Sequence, residues 1–138
     1  MKKENTDKLL KDFPSLFKQY YWDKMETCMC WGFDVGDGWF NLLYKLSTDL
    51  MKVNPECEAC QIKEKFGSLR VYADHTNDEG NKLISWAEKM SYSICEECGR
   101  PGKPNDKGWI KTLCDKCKKK RETKIKKQIE EYRKTKNE

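Results

Sequence analysis

The stretch Ile94-Cys-Glu-Glu-Cys-Gly-Arg-Pro-Gly102, read together with Leu113-Cys-Asp-Lys-Cys117, decides the fold of the C-terminal part of this chain. Each stretch holds a Cys-x2-Cys pair, and 15 residues separate the two pairs. Two such knuckles can place four thiolates tetrahedrally around one ion at about 2.3 Å. The linking segment is rich in Pro and Gly, as a hairpin loop requires. Residues 95–117 are therefore predicted to form a zinc ribbon, with Zn²⁺ as cofactor and four ligands: Cys95, Cys98, Cys114 and Cys117.

This ligand set predicts a structural metal, because four protein thiolates leave no position open for a reactive water. The alternative for the same residues is a pair of redox dithiols or disulfides. The N-terminal segment, Met1-Lys-Lys-Glu-Asn5, lacks the apolar stretch of a secretory signal. A reducing compartment is therefore expected, which favours metal binding over disulfides.

The other four cysteines form a weaker pattern. Cys28-x-Cys30 and Cys57-x2-Cys60 could make a second four-cysteine metal site. Cys-x-Cys is a poorer knuckle than Cys-x2-Cys, and cysteine is also a small residue that is often simply buried. Ordinary packed or exposed thiols, and disulfides, are the alternatives for this group.

Apolar residues recur at helical spacing in two segments of the remaining chain. One segment predicts a helix over 38–52, capped by Asp37, and the other predicts a helix over 78–94. The second carries a capping-box pattern, Thr76-x-x-Glu79, and an apolar stripe: Leu83, Ala87, Met90 and Ile94. Short helical pieces are expected within 6–20, and a packed loop over 21–36.

Residues 60–74 alternate with a period of two and predict a β-hairpin. Gly67-Ser68 suits a two-residue type II′ turn with Phe66 opposite Leu69. One face is then apolar and faces the core: Ile62, Phe66, Leu69 and Val71. The other face holds three cations around one aromatic ring: Lys63, Lys65, Arg70 and Tyr72. Such a face can bind phosphates and stack a base, and its alternative interpretation is a solvated sheet surface.

Positive charge is concentrated at the C-terminal end. The chain has 28 basic and 23 acidic residues, a formal charge of +5, yet residues 111–138 alone hold 12 basic and 5 acidic residues. A basic helical tail is predicted over 118–138, with a sparse apolar stripe of Ile125, Ile129 and Tyr132. Four of its residues are the leading candidates for phosphate contacts: Lys118, Lys119, Lys120 and Arg121. A solvated helix with no ligand is the alternative.

Together these elements predict an α+β protein: a small helical body with a β-hairpin over 1–94, a fused zinc ribbon over 95–117, and the basic tail. The longest uncharged apolar runs are a few residues long, so no membrane partner is expected. His75 is the single histidine and sits beside no recognisable nucleophile, and Glu64 has no identifiable catalytic partner. The sequence therefore predicts a protein that is not an enzyme.

Several segments, in a specific order, resemble a family of small, functionally uncharacterised bacteriophage and prophage proteins. The resemblance spans about residues 13–117, and Ala87-Glu88 with Ser91 belongs to it. The longer segments are Glu26-Thr-Cys-Met-Cys-Trp-Gly-Phe33, Gly36-Asp-Gly-Trp-Phe40, Gln61-Ile-Lys-Glu-Lys-Phe-Gly-Ser-Leu-Arg-Val-Tyr72, Ile94–Gly102 and Gly108-Trp-Ile-Lys-Thr-Leu-Cys-Asp-Lys-Cys117. The resemblance implies a viral accessory protein acting in the bacterial host cytoplasm, and it supplies no catalytic residues. Residues 118–138 lie outside the shared pattern, and the Cys57/Cys60 pair departs from it.

Three functions are consistent with these features. The first is a zinc-binding, phage-type accessory protein that docks on nucleic acid or on a host complex that handles nucleic acid. The second is a viral antagonist of bacterial defence. It would bind a host protein or sequester a small signalling nucleotide on the face formed by Lys63, Lys65, Arg70 and Tyr72. The third is a structural component of the virion, which would form homo-oligomers.

Overall fold

A computed structural model describes residues 1–137 as a mixed α+β fold, which confirms the predicted class. Its elements, in chain order, are α1 (Lys3–Asp12), β1 (Phe33–Asp34), α2 (Phe40–Val53), β2 (Glu58–Lys65), β3 (Ser68–Asp74), α3 (Asp78–Ser91), β4 (Lys103–Pro104), β5 (Thr112–Leu113) and α4 (Asp115–Lys136). Residue 138, the end of the predicted tail, lies outside the described residues. No helix within 1–137 is long and apolar enough to span a membrane.

The body is a three-stranded sheet covered by helices. The strand order is β1-β2-β3, with β1 parallel to β2 and β2 antiparallel to β3. The segment 21–36, predicted to be a loop, supplies the short strand β1 and a 3-10 turn over Met29–Trp31. The core is built from side chains of all three strands, of α1, α2 and α3, and of the segment that follows α1, and its largest fully buried side chain is that of Trp39.

The helix predicted over 38–52 is present as α2, preceded by a 3-10 turn over Asp37–Trp39. The predicted role of Asp37 as a helix cap is wrong. Its Oδ1 accepts hydrogen bonds from the backbone N–H of Lys2 at 2.8 Å and the side-chain amide of Asn5 at 3.0 Å. Burial alone would raise the pKa of Asp37, but these two donors outweigh burial and hold it below its usual value. Asp37 therefore anchors the start of α1 to the body.

The hairpin forms with a different turn from the predicted one. Lys65 pairs with Ser68, so Phe66 and Gly67 are the central residues, with φ of 52° and 83°. Two positive φ values define a type I′ turn, which matches strand twist but costs a bulky residue such as Phe roughly 1–2 kcal/mol. The expectation that Phe66 faces the core is therefore wrong, because its side chain projects into solvent. The rest of the predicted core face is correct, since Ile62, Leu69 and Val71 are buried.

Helix α3 covers the free edge of β3. The Oγ of Ser91 accepts the Leu69 N–H at 2.9 Å, and Oε2 of Glu88 accepts the Val71 N–H at 3.1 Å. These bonds satisfy edge N–H groups that would otherwise lack a partner. The predicted stripe is correct in part: Ala87 is buried and Leu83 and Ile94 pack against the core, whereas Met90 is exposed. The other buried residues of α3 are Gly80, Ile84 and Ser91. The cap is also different, because Asn77 accepts the Gly80 N–H and no Thr76 capping box forms.

Candidate metal centre and adjoining basic clefts

The four cysteines of the two knuckles converge at one point. The Sγ atoms of Cys95, Cys98, Cys114 and Cys117 all lie within 4.8 Å of one another, and those of Cys98 and Cys114 are 3.7 Å apart. Four sulfurs bound tetrahedrally at 2.3 Å would be about 3.8 Å apart. These residues therefore form a candidate metal site, and the predicted ligand set is brought together as expected.

Local backbone structure explains this convergence. In the first knuckle, the Gly99 N–H bonds to the Cys95 carbonyl at 2.9 Å, and the Cys95 N–H bonds to the Arg100 carbonyl at 2.7 Å. Gly99 has a φ of 81°, which a residue with a side chain rarely adopts, so it can reverse the chain here. The second knuckle is the first turn of α4, where Cys114 is the N-cap residue and accepts the Cys117 N–H. The strands β4 and β5 pair between the knuckles and close the ribbon.

The thiols differ in acidity because their surroundings differ. The N–H of Cys117 points at the Cys114 sulfur and lowers the pKa of Cys114 to about 7. Burial, together with hydrogen bonding to the other three sulfurs, raises the pKa of Cys117 to about 12. A bound cation would favour thiolate at all four positions. The cluster fits a divalent metal held by four sulfurs. With four protein ligands, no coordination position remains for water or a substrate.

A buried carboxylate attaches the first knuckle to the body. Glu96 is only 3% exposed, and its Oε2 accepts the Gly36 N–H at 3.0 Å while its Oε1 pairs with Lys111 Nζ at 3.2 Å. The backbone carbonyl of Glu96 accepts the Gly38 N–H at 2.7 Å. A Cβ on Gly38 would lie 2.1 Å from the Cys95 carbonyl oxygen, so the knuckle packs directly on glycine backbone.

Two further contacts complete the attachment. The indole N–H of Trp39 donates to the Ile94 carbonyl at 2.9 Å, and Thr112 Oγ1 donates to the Gly67 carbonyl at 2.7 Å. The ribbon is thus held both by the start of α2 and by the hairpin turn. The metal centre has a fixed position on the body as a result.

A cleft of about 250 Å³ opens between the ribbon loop and α4. We call it the ribbon cleft. Its lining includes the exposed ring of Trp109, two carboxylates (Asp115 and Glu122), and five cationic side chains: Lys103, Lys107, Lys111, Lys118 and Arg121. The sequence had pointed only to the last two. Trp109 was expected to cover the metal site, but its ring is exposed. Lys103 and Lys107 were not predicted because no periodic pattern marks a loop, although the placement of Lys107 and Lys111 on either side of Trp109 was visible.

The other tail candidates are placed differently around α4. Lys120 lies with Arg121 beside Cys98 and Cys117, in a cleft of about 620 Å³ on the other side of the metal site. Lys119 is exposed and lines neither cleft. Helix α4 starts earlier than the predicted tail, at Asp115, and none of its residues is buried. Its predicted apolar stripe of Ile125, Ile129 and Tyr132 is largely exposed.

The predicted phosphate-binding face of the hairpin is assembled in part. Lys63 pairs directly across the sheet with Arg70, so two like charges face each other, and within residues 1–137 neither forms an ion pair. The buried Nε of Arg70 has no hydrogen-bond partner. Tyr72 pairs with Gln61 and is partly exposed, and Lys65 is exposed next to the turn. Lys63 and Lys65 also line a second aromatic-containing cleft, of about 410 Å³.

The remaining cysteines are not gathered in the same way. Across residues 1–137, the ribbon cysteines form the sole group of three or more potential ligand residues with all ligand atoms within 4.8 Å of one another. Cys57 is fully buried, and burial together with the nearby Glu56 raises its pKa to about 11. Cys28 is exposed, Cys30 is half-buried with its thiol 3.4 Å from the Thr27 carbonyl, and Cys60 is half-buried. Of the alternatives for this group, ordinary packed or exposed thiols match this arrangement.

The two polar residues that were considered for catalysis, His75 and Glu64, contact other groups of the body. His75 is exposed, with Nε2 3.7 Å from Glu58. Glu64 accepts the Gly67 N–H at 2.9 Å and so supports the hairpin turn.

Comparison with known proteins found no protein-family model, no curated protein and no solved structure that matches this chain. Its metal-ligand cluster and its charged clefts are therefore the features from which function can be inferred.

Proposed function

We propose that this protein is a non-enzymatic, zinc-binding accessory protein of bacteriophage type. It would dock through its basic C-terminal helix on nucleic acid, or on a host complex that handles nucleic acid, in the bacterial cytoplasm. The observation that carries the proposal is the direct fusion of a four-thiol metal cluster to a strongly basic helix, through Cys114 and Cys117. The phage assignment rests on the sequence resemblance.

Zinc is the metal that best fits four converging thiols. Tetrahedral sulfur ligation selects Zn²⁺ or iron, and ribbons with two Cys-x2-Cys knuckles are typical structural zinc sites. We expect elemental analysis of protein purified without chelator to give about one zinc per chain. Iron as the main metal, or no metal in wild-type protein of native fold, would contradict this assignment.

The charge on α4 is poorly suited to stabilising the helix itself. Eight of the twelve residues from 116 to 127 are Lys or Arg, and one is acidic. Cations at a helix N-terminus oppose the helix dipole. A zinc ion with four thiolates would carry a charge of about −2 and offset part of that cost. A cationic helix held in this way, with no buried residue, supports an external anionic partner such as a phosphate backbone.

The test is a charge-neutralised full-length variant. Lys118, Lys119, Lys120 and Arg121 are changed together to Gln, and binding to duplex and single-stranded oligonucleotides is titrated at several salt concentrations. If all four contact phosphates, the slope of log K against log salt falls by about 3 to 4. The affinity difference between about 50 and 200 mM salt then shrinks by roughly 100-fold.

The matched control changes four exposed lysines of the body to Gln, which alters net charge equally but leaves α4 intact: Lys3, Lys11, Lys24 and Lys52. We expect the control to keep the wild-type salt slope. Equal losses of oligonucleotide affinity in both variants would mean that binding depends on net charge alone. That result would contradict docking by α4. Absence of any nucleic-acid binding by the zinc-loaded wild type at low salt would leave only the host-complex form of the proposal.

A second candidate function is supported by the hairpin face. Lys63 opposite Arg70 is an unfavourable pairing of like charges that a bound anion would relieve. The corresponding function is an antagonist of bacterial defence that sequesters a small signalling nucleotide. This function predicts that nucleotide binding persists when the cations of α4 are changed to Gln and is lost in Arg70→Ala.

A further inference from the structure

The hairpin turn and the ribbon loop bring two exposed aromatic rings to one cleft. The cleft of about 410 Å³, which we call the turn cleft, is lined by Lys63, Glu64, Lys65, Phe66, Gly108, Trp109 and Ile110. Phe66 is 66% exposed and Trp109 is 72% exposed. The body and the ribbon are fixed to each other here, since a Cβ on Gly67 would lie 3.0 Å from Ile110 and the Gly67 carbonyl accepts the Thr112 hydroxyl.

Phe66 is an unfavourable choice for its position. It holds a positive φ in a type I′ turn, where Asn is the usual first residue, and its ring gains no burial in return. An exposed bulky residue kept in a strained conformation points to a role outside folding. Lys65 Nζ lies 5.7 Å from the centre of the Phe66 ring, so the ring is flanked by positive charge.

The turn cleft and the ribbon cleft are neighbours, because Trp109 lines both of them. Cations therefore extend on both sides of this ring, from Lys63 and Lys65 to Lys118 and Arg121. The carboxylate of Glu64 is occupied by the Gly67 N–H. The result is a predominantly positive row interrupted by two exposed aromatic rings, in which seven cationic side chains outnumber three carboxylates: Glu64, Asp115 and Glu122.

We infer that this row binds single-stranded nucleic acid, with bases stacking on Phe66 and Trp109 and the backbone following the lysines. The inference rests on the proposed function and deepens it by naming the form of nucleic acid. Single strands expose base faces to aromatic rings, whereas a duplex hides them. A protein partner would need complementary acidic and apolar surfaces together, and the cationic flanks favour the phosphate-bearing ligand.

The experiment uses zinc-loaded, full-length protein and two fluorescein-labelled probes: an oligo-dT of about 15 nucleotides and a mixed-sequence duplex of the same length. Phe66→Asn and Trp109→Ala are compared with wild type at several salt concentrations. Asn suits the type I′ turn better than Phe does, so Phe66→Asn should be at least as stable as wild type. Trp31→Ala is the matched control, because Trp31 is also 72% exposed and lies outside both clefts.

We expect wild type to bind oligo-dT more tightly than the duplex. Phe66→Asn and Trp109→Ala should each weaken oligo-dT binding on the order of 5- to 100-fold. Their salt slope should stay at the wild-type value, because stacking releases no counterions. Oligo-dT should also quench tryptophan fluorescence in wild type and in Trp31→Ala, and that quenching should be lost in Trp109→Ala.

Three results would overturn the inference, and the first two differ from those that bear on α4. Equal affinity for duplex and oligo-dT, unaffected by Phe66→Asn and Trp109→Ala, would exclude stacking while leaving the salt-dependent docking of α4 intact. Loss of binding to a host protein in these variants, with unchanged oligo-dT affinity, would assign the rings to a protein partner. If the wild type binds neither probe, the nucleic-acid form of the proposed function fails and this inference fails with it.

Discussion

Replacing Glu96 with Gln should destabilise the protein far more than loss of a surface charge would. Gln has nearly the same shape, but it offers one acceptor oxygen where Glu96 serves two donors, the Gly36 N–H and Lys111 Nζ. The NH₂ group of Gln would then face a second donor. Lys111, whose side chain is 21% exposed, would lose its anionic partner.

The expected cost follows from these contacts. Hydrogen bonds to charged groups contribute about 1.5–3 kcal/mol each, and breaking a fully buried ion pair costs about 3–5 kcal/mol. Partial exposure of Lys111 lets water replace some of the lost interaction. We therefore expect a loss of about 3 kcal/mol in the free energy of unfolding, which corresponds to a fall of about 10 °C in Tm for a chain of this size.

The assay is urea unfolding of the zinc-loaded protein, checked by thermal unfolding. Asp49→Asn is the matched control, because Lys45 and Asp49 form an exposed i,i+4 pair at 3.1 Å, and its loss should cost about 0.3–0.5 kcal/mol. A double-mutant cycle with Lys111→Met should give a coupling energy of about 1–3 kcal/mol. A cost for Glu96→Gln no larger than that of the control would refute the claim that this carboxylate attaches the ribbon to the body.

Three further perturbations test the site and the fold. Cys114→Ser should remove the bound zinc and unfold the ribbon, so retention of one metal equivalent with a native CD spectrum would disprove the ligand assignment. Gly38→Ala should accelerate zinc release to a chelator, because the new Cβ would meet the Cys95 carbonyl oxygen at 2.1 Å; an unchanged rate would mean that the knuckle does not pack as described. Glu58 is the third site. Burial is the largest single influence and raises its pKa, but the hydrogen bonds from Lys18 and Gln19 and the nearby positive charge together outweigh burial and hold the pKa below its ordinary value. The stabilising effect of Glu58 is therefore present above the unfolded-state pKa and is lost as the pH falls through the folded-state value. Glu58→Gln should therefore show a smaller loss of stability than wild type on acidification, and parallel curves would contradict this role.

The ribbon could be predicted from sequence because its information is local. Spacing within each Cys-x2-Cys pair fixes how the thiols project, and the metal removes the need for an extensive core. The helix over 38–52 was predictable for a similar reason, since one continuous apolar stripe admits one buried face. The helix prediction depended on residues that are close together in sequence, and the ribbon prediction depended on four residues of one type, cysteine.

The hairpin turn could not be predicted because two turns fit the same alternation. Moving the turn from Gly67-Ser68 to Phe66-Gly67 shifts the pairing by two residues and leaves every side chain on the same face. Local preference favours the first alternative, since Phe rarely adopts a positive φ. One distant and one local group support the second: the Gly67 carbonyl accepts the hydroxyl of Thr112, and the neighbouring Glu64 accepts the Gly67 N–H.

The inward face of α3 was only partly predicted, because two of its residues are not apolar. Gly80, Ile84, Ala87 and Ser91 have regular helical spacing, yet Gly and Ser carry no hydrophobic signal. Gly80 is required because a Cβ would lie 2.2 Å from Asn54 Oδ1, and Ser91 is required because its hydroxyl satisfies the edge of β3. Close approach and hydrogen bonding therefore selected these residues, and periodicity of apolar residues cannot detect either effect.

The metal centre and the basic helix depend on each other physically. Helix α4 buries none of its residues, and an isolated, highly charged helix of 22 residues is at best marginally stable in water. Its first turn holds Cys114 and Cys117, so a bound metal would supply the nucleus that the helix lacks. The negative charge of a zinc–thiolate centre would also offset the cations that crowd its N-terminal half. Any anionic ligand that orders α4 should therefore increase the affinity for zinc, and zinc should increase the affinity for that ligand by the same factor.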